Sequence, residues 1–154
     1  MLYNLRPSGL DPKGSDEGAG SPSGVRKLGP LRPLILMIED DFALRWALAD
    51  YLEGEGFDVE SAADGLEGLR RIEATSQRKP AAILLDVMMP RMGGVEFCAR
   101  HRQSASAIPV ILMTGARIDK RDLGALGLHT AFSKPLNMTK LVATLRELVS
   151  TVQH

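Results

Sequence analysis

The sequence predicts an α/β domain built on a parallel sheet, and three observations lead to that prediction. Short continuous apolar segments, such as Leu34–Ile38, recur along the chain, as is typical of strands buried on both faces. Each of them is followed by a segment with the apolar spacing of a helix. Five such strand–helix pairs occur in succession, which predicts a sheet covered on both faces by right-handed crossovers.

The first half of the domain is predicted to contain three of the strands. Leu34–Ile38 is the first, and Asp40 or Asp41 can cap the following helix, which ends at about Glu55 before Gly56. The second strand and helix are predicted at 57–62 and 64–75, and the third strand at 81–86.

The second half begins with a loop rich in proline and glycine, which separates the third strand from a helix that ends at about Arg102. The fourth strand is predicted at 108–113, a weaker helix at 118–126 and a short fifth strand at 129–133. The final helix, 138–151, has one apolar face. That face consists of Met138, Leu141, Val142, Leu145, Leu148 and Val149.

The composition excludes several classes of protein. The formal net charge is zero, which disfavours direct binding to nucleic acid or to an anionic membrane surface. Cys98 is the only cysteine, so the chain has neither an internal disulfide nor a zinc site built from cysteines. No apolar run approaches the roughly 20 residues that span a bilayer, and the N-terminus lacks the apolar core of a signal peptide. We therefore predict a cytoplasmic protein.

The composition changes near residue 33. Residues 1–33 are rich in glycine, proline and serine and contain few apolar side chains, so they cannot offset the entropy lost on ordering. We predict a disordered N-terminal tail over 1–33 and a folded domain over 34–154. The last helix is predicted to end near Thr151, so we expect a stand-alone domain with no output domain after it.

Polar residues follow four of the five predicted strands. Glu39 and Asp40 follow the first strand, Asp86 ends the third, Thr114 ends the fourth and Lys134 follows the fifth. The carboxyl ends of parallel strands meet at one edge, so these side chains should converge there. Crowded carboxylates repel one another, and a hard cation such as Mg²⁺ would relieve that repulsion. A carboxylate of this kind can also act as a nucleophile toward phosphorus.

Four stretches resemble the bacterial response-regulator receiver domains, and together they span almost the whole predicted domain. The stretches are Ile35–Asp41, Leu84–Gly94, Ile111–Gly115 and Phe132–Leu136. The resemblance implies a flavodoxin-like doubly wound sheet of five strands in the order 2-1-3-4-5. It also implies a signalling switch of a two-component system, not an enzyme.

The same resemblance implies a role for each matching residue. Asp86 would accept a phosphoryl group from a phosphohistidine on a sensor histidine kinase or a histidine phosphotransfer protein. Mg²⁺ would be bound by Asp40 directly, by Glu39 through water, by Asp86 and by the backbone carbonyl of Met88. Thr114 would contact the phosphoryl group and Lys134 would pair with it. The bond between Lys134 and Pro135 would be cis.

The resemblance further implies signalling to a downstream protein, or phosphorelay, through the fourth helix, fifth strand and fifth helix, with homodimerisation through that face left open. Gly115 and Ala131 depart from the pattern, because the family usually has alanine and often an aromatic residue there. Met88 and Ala116, each two residues beyond a site residue, cannot orient a hydrolytic water. We therefore predict a long-lived phosphoryl group.

Two rival functions remain as alternatives. A receiver-like interaction module that works without phosphorylation is permitted by Ala131 and Gly115. A flavin-binding or phosphatase-type enzyme on the same topology is disfavoured, since the acids after the first strand would repel a phosphate and the nucleophile is not placed there.

Three further side chains need an interpretation. Cys98 is predicted to be a small core residue. Phe42 and Trp46 lie four residues apart on the first helix, off the main apolar stripe. We favour local packing for this pair over a role as an anchor for a partner protein.

Overall fold

The structure is a computed structural model that describes residues 29–74, 78–128 and 130–152. Strands and helices alternate throughout. The strands are β1 Leu34–Ile38, β2 Asp58–Ala62, β3 Ala82–Asp86, β4 Val110–Thr114 and β5 Thr130–Ser133. The helices are α1 Phe42–Gly54, α2 Gly65–Ala74, α3 Gly94–Gln103, α4 Lys120–Leu126 and α5 Met138–Val152.

The five strands form one parallel sheet in the order β2-β1-β3-β4-β5. The predicted fold class and strand order are confirmed. Asp86 lies opposite Met113, and Thr114 lies opposite Ser133, so the ends of three neighbouring strands are level with one another. The sheet therefore brings the predicted site residues to one edge.

Alternate residues of the central strands supply two cores, one on each face of the sheet. Ile35, Met37 and Leu84 pack on the face covered by α1 and α5. Leu36 and Ile83 pack on the opposite face, which is covered by α2, α3 and α4. Cys98 belongs to this second core and is buried, as predicted.

Element boundaries differ from the predictions by one or two residues, for local reasons. β4 begins at Val110 and not at residue 108, because Pro109 has no N–H to donate to a neighbouring strand. α4 begins at Lys120, because the carboxylate of Asp119 caps it by accepting from the N–H of Arg121. Asp41, one of the two predicted caps, accepts from the N–H of Leu44 at 3.0 Å.

Most of the predicted N-terminal tail, residues 1–28, lies outside the described residues. At its end, the guanidinium of Arg32 donates to the carbonyl of Glu53, and the carbonyl of Pro33 accepts from the N–H of Asp58 at 2.9 Å. Contacts with the domain thus begin before β1.

The aromatic pair on α1 is largely exposed, and the local packing that we favoured is seen only as a contact of Phe42 with Arg45. Phe42 is 72% exposed and Trp46 is 66% exposed. The helix turns Leu44, Leu48 and Leu52 toward the sheet, which directs both rings to solvent, where Phe42 lies 5.6 Å from the guanidinium of Arg45. Over the part of the chain that the structure describes, no helix is long and apolar enough to cross a membrane.

Candidate functional site

Three carboxylates converge at the carboxyl edge of the sheet. Glu39 follows β1 and is 1% exposed, Asp86 ends β3 and is 5% exposed, and Asp40 is exposed. One oxygen of each lies within 4.8 Å of the others, in the one group of three possible metal ligands among the described residues. Because carboxylate oxygens are hard ligands, the set has the chemistry that Mg²⁺ prefers.

Lys134 brings a positive charge into this group from the edge of the sheet. Its Nζ lies 2.9 Å from Oε2 of Glu39 and 3.3 Å from Oδ1 of Asp86. Its backbone N–H donates to the carbonyl of Thr114 at 2.7 Å, and the Lys134–Pro135 bond is cis, as predicted. The lysine therefore partly neutralises the two buried acids.

Burial and neighbouring charges shift the pKa values of Glu39 and Lys134. Burial raises the pKa of Glu39, and the negative charge of Asp86 adds to the rise, although Lys134 and the N–H of Asp41 oppose it. Burial on its own lowers the pKa of Lys134, but the hydrogen bond to Glu39 and the charges of both acids outweigh burial and raise it. Glu39 is thus buried at an electrostatic cost that a cation near the acids would reduce.

The other two predicted site residues lie nearby without joining the carboxylates. Thr114 is buried at the end of β4, but its Oγ1 accepts from the N–H of Ala116 at 3.0 Å and donates to the Ala116 carbonyl at 3.3 Å. Its hydroxyl is therefore turned toward its own loop. Met88 is 78% exposed, and its backbone N–H makes a long hydrogen bond of 3.5 Å to Oδ1 of Asp86.

Backbone geometry explains the glycine at the start of α3. The N–H of Gly94 donates to the carbonyl of Val87 at 3.0 Å, and a Cβ on Gly94 would lie 2.8 Å from the carbonyl oxygen of Asp86. Any side chain at position 94 would therefore displace the backbone of Asp86.

Sequence reasoning missed Arg45. Its guanidinium donates to the carbonyl of Glu39 at 2.5 Å and to that of Asp40 at 3.4 Å, so it holds the backbone that carries both acids. The only available signal was its position one turn into α1 from the cap Asp41. An arginine on a helix is ordinarily solvent-exposed, and nothing in the spacing distinguished this one.

The geometry agrees with comparisons to known proteins. The model of the response regulator receiver domain matches residues 35–146. The chain belongs to this family. Receiver domains are signalling modules of two-component systems and interact with histidine kinases, and the cluster of Glu39, Asp40 and Asp86 is typical of a receiver Mg²⁺ site.

Two sequence relatives illustrate the likeness. Response regulator MprA of a Mycobacterium species (strain KMS) is 35% identical over 117 residues, which cover 75% of this chain and 50% of MprA. The CpxR homolog of Haemophilus influenzae, a transcriptional regulatory protein, is 38% identical over 118 residues, which cover 75% of this chain and 49% of that protein. The chain thus spans about half the length of these relatives.

Solved structures share the fold. Chemotaxis protein CheY4 of Vibrio cholerae is 30% identical, with a TM-score of 0.67, and the match covers 76% of this chain and 98% of CheY4. Response regulator TrrA of Thermotoga maritima, solved in complex with Mg²⁺–BeF, is 24% identical with a TM-score of 0.67, over 75% of this chain and 98% of TrrA. At that identity, TrrA supports the fold alone.

Proposed function

We propose that this chain is a switch that accepts a phosphoryl group on Asp86 from the phosphohistidine of a sensor histidine kinase or a histidine phosphotransfer protein in the cytoplasm. The main support for this proposal is the environment of Asp86. Its carboxylate is buried, lies 3.3 Å from the Lys134 ammonium and shares a 4.8 Å cluster with Glu39 and Asp40. Family membership supports the same function.

The residues at this edge fit Mg²⁺. Asp40 and Asp86 would bind it directly, Glu39 through water and Met88 through its backbone carbonyl. When bound, the ion would neutralise negative charge on the carboxylates and on the phosphoryl oxygens.

The transfer itself asks little of the protein beyond alignment and charge neutralisation. A carboxylate oxygen of Asp86 would form a bond to phosphorus, while the bond from phosphorus to the donor imidazole nitrogen breaks and the electron pair returns to that ring. Lys134 would pair with the transferred group. Thr114 would contact that group after its hydroxyl leaves Ala116, whose backbone it binds at 3.0 Å.

Retention of the phosphoryl group follows from two neighbours. Met88 and Ala116 offer no side-chain group that could orient a water for attack on phosphorus. We expect phosphorylated protein to persist far longer than a few seconds in Mg²⁺. A half-life of a few seconds in the isolated, Mg²⁺-saturated protein would overturn this expectation.

Output would occur through the face formed by α4, β5 and α5, to a downstream protein or by phosphorelay. Homodimerisation is a second use of that face. The aromatic side chain that often serves receivers there is replaced by half-buried Ala131, with Phe132 packed against the opposite core. A module that works without phosphorylation is the alternative that Ala131 favours.

One labelling experiment separates the switch from the module. The protein is incubated with acetyl phosphate and Mg²⁺, and its intact mass is measured beside that of Asp86→Asn. We expect one added phosphoryl group in the wild type, none in the variant and none without Mg²⁺. If the wild type is not labelled, the result would support the module that works without phosphorylation. If the variant is labelled equally, the phosphoryl acceptor would be a residue other than Asp86.

A further inference from the structure

The loop of residues 87–93 joins β3 to α3 and carries Met88, whose carbonyl we assign to the metal. We infer that Arg91 is a positioning residue for this site, because its ion pair with Asp64 ties the loop to the start of α2. The inference rests on the proposed function, since it concerns how the proposed metal site is held.

Arg91 has a backbone that its side chain does not favour. Its φ is +65°, in the left-handed region that costs a residue with a Cβ some stability, and it is the one such residue besides glycine among those described. The N–H of Met92 closes a tight turn around it by donating to the carbonyl of Pro90 at 2.7 Å. Glycine would suit this backbone better, so what arginine adds must come from its side chain.

The side chain reaches a fixed, buried anion. The guanidinium of Arg91 pairs with Oδ2 of Asp64, whose side chain is 2% exposed. The other oxygen of Asp64 accepts from the N–H of Glu67 at 2.9 Å and so caps α2. A carboxylate buried this deeply needs a cation or several hydrogen bonds, and among the described side chains Arg91 is the cation that contacts it.

Met92, the residue after Arg91, anchors the same part of the loop by packing into the core. Met92 is 4% exposed and packs against Gly65, where a Cβ would lie 2.9 Å from Cγ of Met92. Gly94, two residues on, holds the backbone of Asp86 and Val87. The loop is thus fixed at residues 91–94, whereas Met88 and Pro90 are exposed. The Met88 carbonyl lies three residues before Arg91 in the same loop, so the way this end of the loop is held limits where that carbonyl can lie.

The Arg91 side chain is 70% exposed, and it is the burial of Asp64 that distinguishes this pair from one between two exposed groups, which contributes little to stability. Three substitutions separate the role of the ion pair from that of the backbone. Arg91→Gly removes the pair and leaves the buried Asp64 carboxylate without its cation, while it relieves the backbone at +65°, so its two effects on stability oppose each other. Asp64→Asn keeps the oxygen that caps α2 and removes the charge. Arg91→Lys restores a cation without the planar guanidinium.

The first measurement is Mg²⁺ binding by titration calorimetry. We expect Arg91→Gly and Asp64→Asn each to raise the dissociation constant for Mg²⁺ by about 3- to 10-fold. This increase is smaller than the one expected for a residue that hydrogen-bonds a metal ligand directly. The double variant should be no weaker than either single one, and Arg91→Lys should recover part of the loss. Arg100→Ala, which removes an exposed arginine paired with Glu96 on α3, is the matched control and should leave binding unchanged.

The second measurement is amide hydrogen exchange at residues 88–92 without metal. We expect exchange at least about 5-fold faster in Arg91→Gly than in wild type. Unchanged exchange, or Mg²⁺ affinity within twofold of wild type, would overturn the inference. If wild-type protein neither binds Mg²⁺ nor becomes phosphorylated, the proposed function fails instead, and the exchange measurement still decides whether Arg91 holds the loop.

Discussion

The centre of the sheet and its β5 edge are built differently. Every residue of β1, β3 and β4 is buried, whereas β5 has no fully buried residue and α4 has none either. Glu39, Asp86 and Thr114 are attached to the centre, and Lys134 is attached to the edge. The acids are therefore held by tight packing. The lysine that neutralises them belongs to a less buried region, where a movement would disrupt fewer packing contacts.

This difference suggests a division of labour. Packing at the centre fixes where a phosphoryl group would be received, because densely packed strands do not deform continuously. The edge is linked to the site by Lys134 and by its N–H bond of 2.7 Å to Thr114. A change of charge at Asp86 should therefore first displace Lys134 and the β5 edge to which it is attached.

The largest difference should appear when a leucine is truncated in each region. Leu84→Ala empties a fully buried position in β3 and should cost about 2 to 5 kcal/mol in the free energy of unfolding. Leu126→Ala, at a half-buried position of α4, should cost less than about 1 kcal/mol. Urea denaturation of both variants gives the comparison, and equal losses would show that the edge is as tightly packed as the centre.

The next effect concerns a thiol in the core beneath α3. Burial raises the pKa of Cys98 from 9.0 to about 11. The unfolded thiol ionises first as the pH rises, so the native state loses stability between pH 9 and 11, by about 2 to 3 kcal/mol. The other groups that titrate in this range are the same in wild type and in Cys98→Ala. The wild type should therefore lose more stability than the variant between pH 9 and 11. Parallel curves would mean that the thiol is accessible to water.

The link between centre and edge is tested by Lys134→Met. Without the ammonium, the raised pKa of Glu39 rises further, and the native state holds a proton that the unfolded state releases above its ordinary value of 4.5. The variant should therefore lose stability as the pH rises. We expect a loss of about 1 to 3 kcal/mol at pH 8 and clearly less at pH 5. Lys140→Met, at an exposed position on α5, serves as the control; a loss independent of pH would place the effect in packing.

The smallest effect on stability is expected at the exposed face of α1. Trp46→Ala should change the free energy of unfolding by no more than about 0.5 kcal/mol, because the ring is 66% exposed. If the pair with Phe42 contacts the phosphohistidine donor, transfer from a kinase should slow while labelling by acetyl phosphate stays the same. Tyr51→Ala, farther along the helix, is the control. An unchanged rate of transfer from the kinase would leave the aromatic pair without this role.

Much of this architecture was predictable from the sequence. Strand ends such as Asp86 and Thr114 follow continuous apolar runs, and the parallel topology then brings them to one edge. Helical spacing places Phe42 and Trp46 off the core stripe, but the extent of their exposure was not predictable, because spacing does not say what else covers a side chain.

Pairings across the fold were also unpredictable. Arg91 contacts Asp64 only because α2 and the loop after β3 meet in space, and no local pattern marks either residue. The hydroxyl of Thr114 could equally have pointed at Asp86, and only its bond to Ala116 shows that it does not. Such features depend on rotamers and long-range packing.

Reception of a phosphoryl group at Asp86 is tested most directly by the amide spectrum of the protein with Mg²⁺ and beryllofluoride, which binds an aspartate carboxylate in place of a phosphoryl group. We expect shifts at Asp86 and Thr114 that extend along β5 and α4, with the middle of β1 and β3 unchanged and no effect in Asp86→Asn. Identical spectra with and without the reagent, or the same shifts in Asp86→Asn, would contradict this expectation.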